Sequence, residues 1–327
     1  LESSIILDSR AYYIQKWGNA ATIALLDPSC RIFTIPTVDG VIPYKIHLNC
    51  AVVFGDPACS PDDMPELIDA FHTYCKAQRK RVVYVVASEQ FVTWAFKNYR
   101  CSTLEIGHEI ILDPLYDPKA RSGPHANLLR RKYNHSIREG ITVKEYMGND
   151  ALLEKAMEQV AVDWLKARSG PQVYISRIEV FSYRANKRWF YAEHAGKIIG
   201  VMIMNRIDAR NGWVVHVLLV TPEAPKTTSE FIVLCALDVL RAERCRFFSI
   251  GPLPGEQLGK IEGLGLFSTI LARKIYKASI KVFKLSDRQR YWKKFQPQLQ
   301  PSFVLFNHPS VRLKEVCAIM RAYNAPF

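Results

Sequence analysis

Lys294 sits in the run Tyr291-Trp292-Lys293-Lys294-Phe295-Gln296-Pro297, with rings on both sides and a second cation before it. An ammonium among rings can stabilise an oxyanion or a phosphate, or it can snorkel from an apolar stem to the surface. His216 lies inside the apolar run Trp213 to Val220, where strand alternation turns it to the face opposite Val215 and Val217. A near-neutral imidazole there suits a general base for a hydroxyl, and a hydrogen-bonded core histidine is the structural alternative. Cys59 sits near a helix start that would favour a thiolate, but no histidine partner is identifiable, so covalent cysteine chemistry is disfavoured. Eight cysteines (Cys30, Cys50, Cys59, Cys75, Cys101, Cys235, Cys245 and Cys317) and eight histidines are scattered, with no CxxC or HExxH. Reduced thiols and a site without a built-in metal are expected.

The elements that position these residues recur along the chain. Ile46 to Phe54 is a continuous apolar run, followed by the turn Gly55-Asp56-Pro57, a helical stretch Asp62 to Ala77 and a strand Arg81 to Val86. Asp56 there reads as a turn or cap residue. The same order returns as strand Trp213 to Val220, turn Thr221 to Pro225, helix Thr228 to Ala242 and strand Arg246 to Ile250, offset by about 165 positions. Each half also offers an earlier hairpin, Ala21 to Leu26 with Arg31 to Pro36, and Arg188 to His194 with Lys197 to Asn205. The reading is an α/β chain of tandem duplicated GNAT-like (N-acetyltransferase-like) mixed-sheet domains. The N-terminal half is taken as 1–125, and the C-terminal half, with a basic C-terminal region, as 126–327. Such folds normally hold acetyl-CoA through a glycine-rich loop at a helix N-terminus. Here the first loop is rigid and anionic and the second, Pro222 to Thr228, has two prolines and no glycine. A CoA-dependent N-acyltransferase is therefore the disfavoured alternative.

With 327 residues, 49% hydrophobic and 23% charged, the chain can bury two cores, and disorder, collagen and coiled-coil readings drop out. The best apolar run, Val214 to Val220, is too short to span a bilayer and carries His216. Leu1 to Arg10 lack a basic segment followed by a long apolar stretch, and no Met opens the sequence, so a piece of a longer protein is expected. Net charge is +13, from 44 basic and 31 acidic residues. Lys119 to Tyr146 holds about +5 of it and Lys260 to Gln300 about +8. Cations clustered this way suit a polyanionic partner, nucleic acid or an anionic membrane surface, against the alternative of a solvated basic face. Leu128 to Glu139, with Arg130, Arg131, Lys132 and Arg138, can grip nucleic acid phosphates. From Leu271 to Leu285, Leu271, Ile275, Ala278, Val282 and Leu285 form an apolar stripe, and Arg273, Lys277, Lys281 and Lys284 a cationic stripe on the other side. This basic amphipathic helix can follow phosphates, rest on an anionic membrane, or pack against a core.

Six short segments, in order, resemble the tRNA-dependent aminoacyl-lipid transferases, whose prototype is the C-terminal domain of bacterial phosphatidylglycerol lysyltransferase. Gly55-Asp56-Pro57 is similar to that family's GDP turn, and Ile106-Gly107-His108-Glu109-Ile110-Ile111-Leu112-Asp113 to its LGEEA strand. Leu129 to Gly140 falls where its basic helix lies, and Pro222-Glu223-Ala224-Pro225 resembles its PxAP turn. Ser249-Ile250-Gly251-Pro252-Leu253 resembles its NLGMAPL strand end, and Tyr291 to Pro297 its FKxKFxP signature. Where the family commonly has IDLMR, this chain has Val215-His216-Val217-Leu218-Leu219, so the Asp becomes His216 and the Arg becomes Leu219; His108 replaces the first Glu of GEE. A neutral sterol has no phosphate to hold, and in style the chain is similar to fungal members that aminoacylate the 3β-hydroxyl of ergosterol.

The resemblance implies an aminoacyltransferase moving a glycyl or aspartyl group from tRNA to ergosterol, with transfer to phosphatidylglycerol as the alternative. Between the halves it implies a passage, with the tRNA end entering at one mouth and the lipid at the other. The ester is already activated, so aminoacyl-tRNA is a co-substrate and no ATP, CoA or other cofactor is expected. Lys294 and His216 become the expected catalytic pair, with the ribose 2′-hydroxyl as an alternative proton shuttle. Glu109, Tyr183, Ser249 and Gly251 become expected substrate contacts, Glu109 for the α-ammonium. Arg130, Arg131, Lys132, Arg273, Lys277 and Lys281 become the expected tRNA contacts. The expected location is cytoplasmic, with peripheral contact to a membrane carrying the sterol or another lipid.

Overall fold

The computed structural model describes residues 2–167, 178–283 and 286–324. Its first half contains α1 (Glu2–Trp17), β1 (Arg31–Phe33), β2 (Ile42–His47), β3 (Cys50–Phe54), α2 (Met64–Ala77), β4 (Arg81–Ser88), α3 (Glu89–Asn98) and β5 (Ser102–Leu112). The second contains α4 (Pro124–Arg138), β6 (Thr142–Tyr146), α5 (Ala151–Lys166), β7 (Lys187–His194), β8 (Lys197–Ile207), β9 (Gly212–Val220), α6 (Thr228–Ala242) and β10 (Phe247–Pro254). After these come β11 (Ile261–Glu262), α7 (Leu266–Phe283), α8 (Ser286–Lys293), β12 (Gln298–Phe306) and α9 (Leu313–Ala322).

Two departures from the sequence reading occur in the first half. The apolar run Ile46 to Phe54 is cut by Leu48 and Asn49, both at positive φ (49° and 58°), which close a two-residue hairpin between β2 and β3. Two successive left-handed residues match the right-handed twist of the flanking strands, and Asn tolerates that conformation well. The segment expected as a strand from Ala21 to Leu26 instead contains a buried 3-10 turn, Thr22–Leu26. Asn19 holds its start, accepting from the backbone N–H groups of Ala21 and Thr22 at 2.9 and 3.1 Å.

The strands form one mixed sheet in the order β1-β2-β3-β4-β12-β5-β10-β9-β8-β7-β6, with β11 on the side of β5. In each half a parallel pair flanks a helix: β3 and β4 around α2, and β9 and β10 around α6. This is the duplicated N-acetyltransferase-like architecture. The strand that follows each pair does not stay with it. β5, from the first half, pairs with β10, while β12, from the C-terminal end, pairs with β4; β5 and β12 then pair with each other. The halves are joined by exchanged strands, and α1 of the first half also packs against the second, Ile14 sharing a core cluster with Ile207, Val214 and Phe247.

The parallel pairs also differ. β3 and β4 align over five rows, Cys50↔Arg81 to Phe54↔Val85. β9 and β10 align over three, Phe247↔Gly212 to Ser249↔Val214, and then diverge. A bulge between Ser249 and Gly251 accompanies the divergence, with Gly251 at φ 87°. Only a residue without Cβ adopts that backbone readily, and the space a Cβ would point into is open.

Candidate active site

The gap left by β9 and β10 widens into a cavity of about 990 Å³. Its lining is drawn from both halves: Val85 and Ile106, His216 and Leu219 on β9, Gly251 on β10, Tyr276 on α7 and Tyr323 after α9. Most of the wall is aliphatic or aromatic, which suits a ligand with a large apolar body.

Beside the cavity, three elements bring charge together. Glu230 lies in the first turn of α6, and its side chain is 2% exposed. Lys132 from α4 and Lys294 after α8 both donate to its Oε1. Burial alone would raise the Glu230 carboxyl, but the two ammonium donors outweigh it and hold the carboxyl below its usual range. Lys294 is itself mostly buried, its Nζ 3.9 Å from the centroid of the Tyr291 ring. Burial lowers its pKa below the ordinary lysine value, although Glu230 pulls the other way. Ser229 donates to the other Glu230 oxygen at 3.0 Å, and both Ser229 and Tyr291 line the cavity. One carboxylate and two ammonium groups leave a net positive centre against an apolar wall, where charge acts strongly.

A second cluster forms on the β5–β10 seam. Ser249 Oγ donates to Glu109 Oε1 at 2.5 Å and accepts from the Gly251 N–H at 3.0 Å. Burial raises the Glu109 pKa, the Ser249 bond and Arg210 oppose that rise, and nearby Asp56 adds to it. Asp56 is a turn residue whose Oδ1 accepts the Ser88 N–H at 2.8 Å. Glu109, Ser249 and Gly251 are thus brought together, and Gly251 faces the cavity.

His216 lines the same cavity. Burial, with Lys187 adding to it, lowers its pKa to about 3, so the imidazole is neutral at physiological pH and a weak proton acceptor. The near-neutral basicity assumed from the sequence is absent because the strand places the ring in a desolvated wall. Tyr183 does not line the cavity: it lies at φ 53° and packs against the core cluster that contains Ile14, Leu25, Ile207 and Phe247. The Cys59 thiol is pushed up to about 12 by burial, with Asp63 adding, so no thiolate forms there.

The expected phosphate-binding cations divide. Arg130 and Arg131 are exposed on α4, Arg130 also donating to the Arg121 carbonyl at 3.1 Å, whereas Lys132 turns inward to Glu230. Arg273 and Lys277 are exposed on α7, Arg273 donating to the Leu258 carbonyl at 2.9 Å. The Lys281 side chain lies outside the described residues. The apolar stripe expected along Leu271 to Leu285 is divided, Ile275 lining the cavity and Leu271 being 51% exposed, while Leu285 lies outside the described residues. Sequence reasoning did not single out Glu230. The available signal was an acid directly before the apolar run Phe231 to Leu237, but a Glu in a first turn is also an ordinary partner for the helix dipole.

A family model described as "Phosphatidylglycerol lysyltransferase, C-terminal" matches residues 13–306. Phosphatidylglycerol lysyltransferase of Staphylococcus epidermidis is 21% identical over 325 residues, covering 94% of this chain and 36% of that protein. The chain thus spans about a third of the length of the curated relatives it matches first. The solved structure of L-PGS from Bacillus licheniformis superposes with a TM-score of 0.81 at 16% identity, covering 97% of this chain and 96% of the other. The C-terminal DUF2156 domain of a protein from Agrobacterium fabrum gives 0.80 at 14% identity, covering 98% and 96%. At these identities the structural likeness concerns the fold.

Proposed function

This chain belongs to the phosphatidylglycerol lysyltransferase C-terminal family, and from that premise we propose that it transfers an aminoacyl group from a charged tRNA to the hydroxyl of a membrane lipid. The observation that carries the reading is the net positive centre of Glu230, Lys132 and Lys294 set against a large apolar cavity. In the reaction the lipid oxygen bonds to the ester carbonyl carbon and the bond from that carbon to the ribose oxygen breaks. The lipid proton passes to the leaving ribose oxygen, with the neighbouring 2′-hydroxyl as shuttle. Lys294, held by Glu230 and backed by Lys132, stabilises the oxyanion that develops between these events. His216, neutral and weakly basic, accepts a hydrogen bond from the lipid hydroxyl and orients it. Glu109, tied to Ser249, receives the α-ammonium. Arg130 and Arg131 hold acceptor-stem phosphates without reading sequence. The ester supplies the driving force, so neither ATP nor CoA is consumed.

Phosphatidylglycerol is the acceptor suggested by the names of the relatives. A sterol 3β-hydroxyl, as in ergosterol, is the second reading. It is favoured by His216 and Leu219 in the cavity wall, where the family pattern has an Asp and an Arg. Incubation with charged tRNA and vesicles containing either phosphatidylglycerol or ergosterol tests both. The expected product is an aminoacylated lipid whose formation ribonuclease abolishes and acyl-CoA does not restore. Product only with acyl-CoA, or tRNA binding with no lipid product, overturns the proposal.

A further inference from the structure

Leu266, Phe267, Ile270 and Leu271, in the first turns of α7, are 84%, 91%, 54% and 51% exposed. Positions four apart lie one helical turn apart on the same face, so these side chains form a contiguous apolar patch. Single exposed apolar residues are ordinary, but a contiguous patch marks an interaction surface. The same side of the helix continues into exposed Arg273, Lys274 and Lys277, and α7 contains no acidic residue in its 18 positions. Its opposite side, including Ala272, Ile275 and Tyr276, walls the cavity. The helix is anchored there, the Tyr276 hydroxyl donating to the carbonyls of Ile106 and Gly255.

We propose that the first turns of α7 insert into the interfacial layer of an anionic bilayer, with Arg273, Lys274 and Lys277 at the headgroups. The cations follow the apolar turn directly, as a surface meeting both acyl chains and phosphates requires. An anionic bilayer matches both features at once. One helix then serves as membrane contact and as cavity wall, so an acceptor lipid leaving the bilayer passes along α7. This inference rests on the acceptor's being a membrane lipid, and it reassigns two expected tRNA contacts, Arg273 and Lys277, to headgroups.

Flotation of the full chain with phosphatidylcholine vesicles, with and without phosphatidylglycerol and in the absence of tRNA, tests it. The chain is expected to float with the anionic vesicles, less so as salt rises. The double variant Leu266→Ser, Phe267→Ser should lower partitioning at least about tenfold, since each side chain gives up apolar burial in the bilayer. Lys274→Glu should weaken binding to anionic vesicles only. Since all three side chains are exposed, circular dichroism and thermal midpoint should match the parent. No flotation of the parent chain, or equal flotation of the double variant, overturns the proposal. So does a double variant that changes only oligomeric state in gel filtration, which would make this face a contact between copies. In transfer assays the double variant should act on detergent-dispersed acceptor and fail on vesicles. Absence of transfer from every form alongside turn-dependent flotation would defeat the functional reading and leave this one standing.

Discussion

Two buried carboxylates are held by lysine, one in each half, and they are built differently. In the first half Lys45 and Asp27 form a pair at 2.7 Å with both side chains almost wholly buried, and Lys45 also donates to the Ala322 carbonyl at 3.2 Å. Charge cancels one to one, and the pair locks α9 against the sheet. In the second half Glu230 serves two lysines beside an open cavity. Burial opposes ionisation in both and is outweighed in both, at Asp27 by Lys45 together with Ser29 and at Glu230 by the two lysines. The sealed pair contributes to fold integrity, whereas the trio has an ammonium left over that can answer charge arising in a bound substrate. Of the two similar scaffolds, the one whose parallel strands part carries the proposed reactive centre.

The contrast breaks most visibly if the sealed pair is cut. Lys45→Met should cost about 3–5 kcal/mol of stability, because an unpaired carboxylate remains buried, while transfer per folded molecule is unchanged; urea denaturation with activity assays reads both. The Asp27 carboxyl is held below its unfolded value, burial notwithstanding, by Lys45 and Ser29. Its stabilisation is therefore present above the unfolded carboxyl value of about 4 and lost as pH falls through the lower folded value. The variant should lack that acid limb.

Lys294→Ala should do the reverse. Transfer falls about 10²–10³-fold in kcat, and stability changes little, because Lys132 still pairs with Glu230. Comparable loss of stability in this variant would erase the distinction between the sites. Glu230→Gln is expected to be milder at neutral pH but diagnostic against pH. Burial depresses Lys294 and Glu230 partly restores it. The alkaline limb of kcat, already below the ordinary lysine range, should therefore move further toward neutrality. A profile that stays put would remove Lys294 protonation from the mechanism. The smallest effect belongs to the rim: Arg130→Gln with Arg131→Gln should weaken every tRNA similarly and lower the salt slope of binding by about 2, with kcat retained at saturation.

Local order was well marked in the sequence where period and turn chemistry agreed. Helix Thr228–Ala242 and the Lys187–His194 hairpin appear where alternation and the Ala195-Gly196 turn put them. The Leu48-Asn49 turn escaped because leucine rarely occupies a left-handed position, so the run read as one strand. Strand exchange escaped for a different reason: the patterning of Gln298 to Phe306 says which face is buried, not which distant neighbour completes the ladder. At the site, Lys294 was legible from its rings, but its partners Lys132 and Glu230 lie 162 and 64 positions away and meet only after α4, α6 and α8 pack.

The interleaving of β5 and β12 also bears on how the chain is made. During synthesis, residues 102–112 leave the ribosome long before residues 298–306, so the slot between β4 and β5 must stay vacant while nearly two hundred residues emerge. An unfilled slot presents two bare ladders, a hazard for mispairing between nascent copies. Chaperone demand should accordingly peak late in translation and subside once the final strand is threaded home.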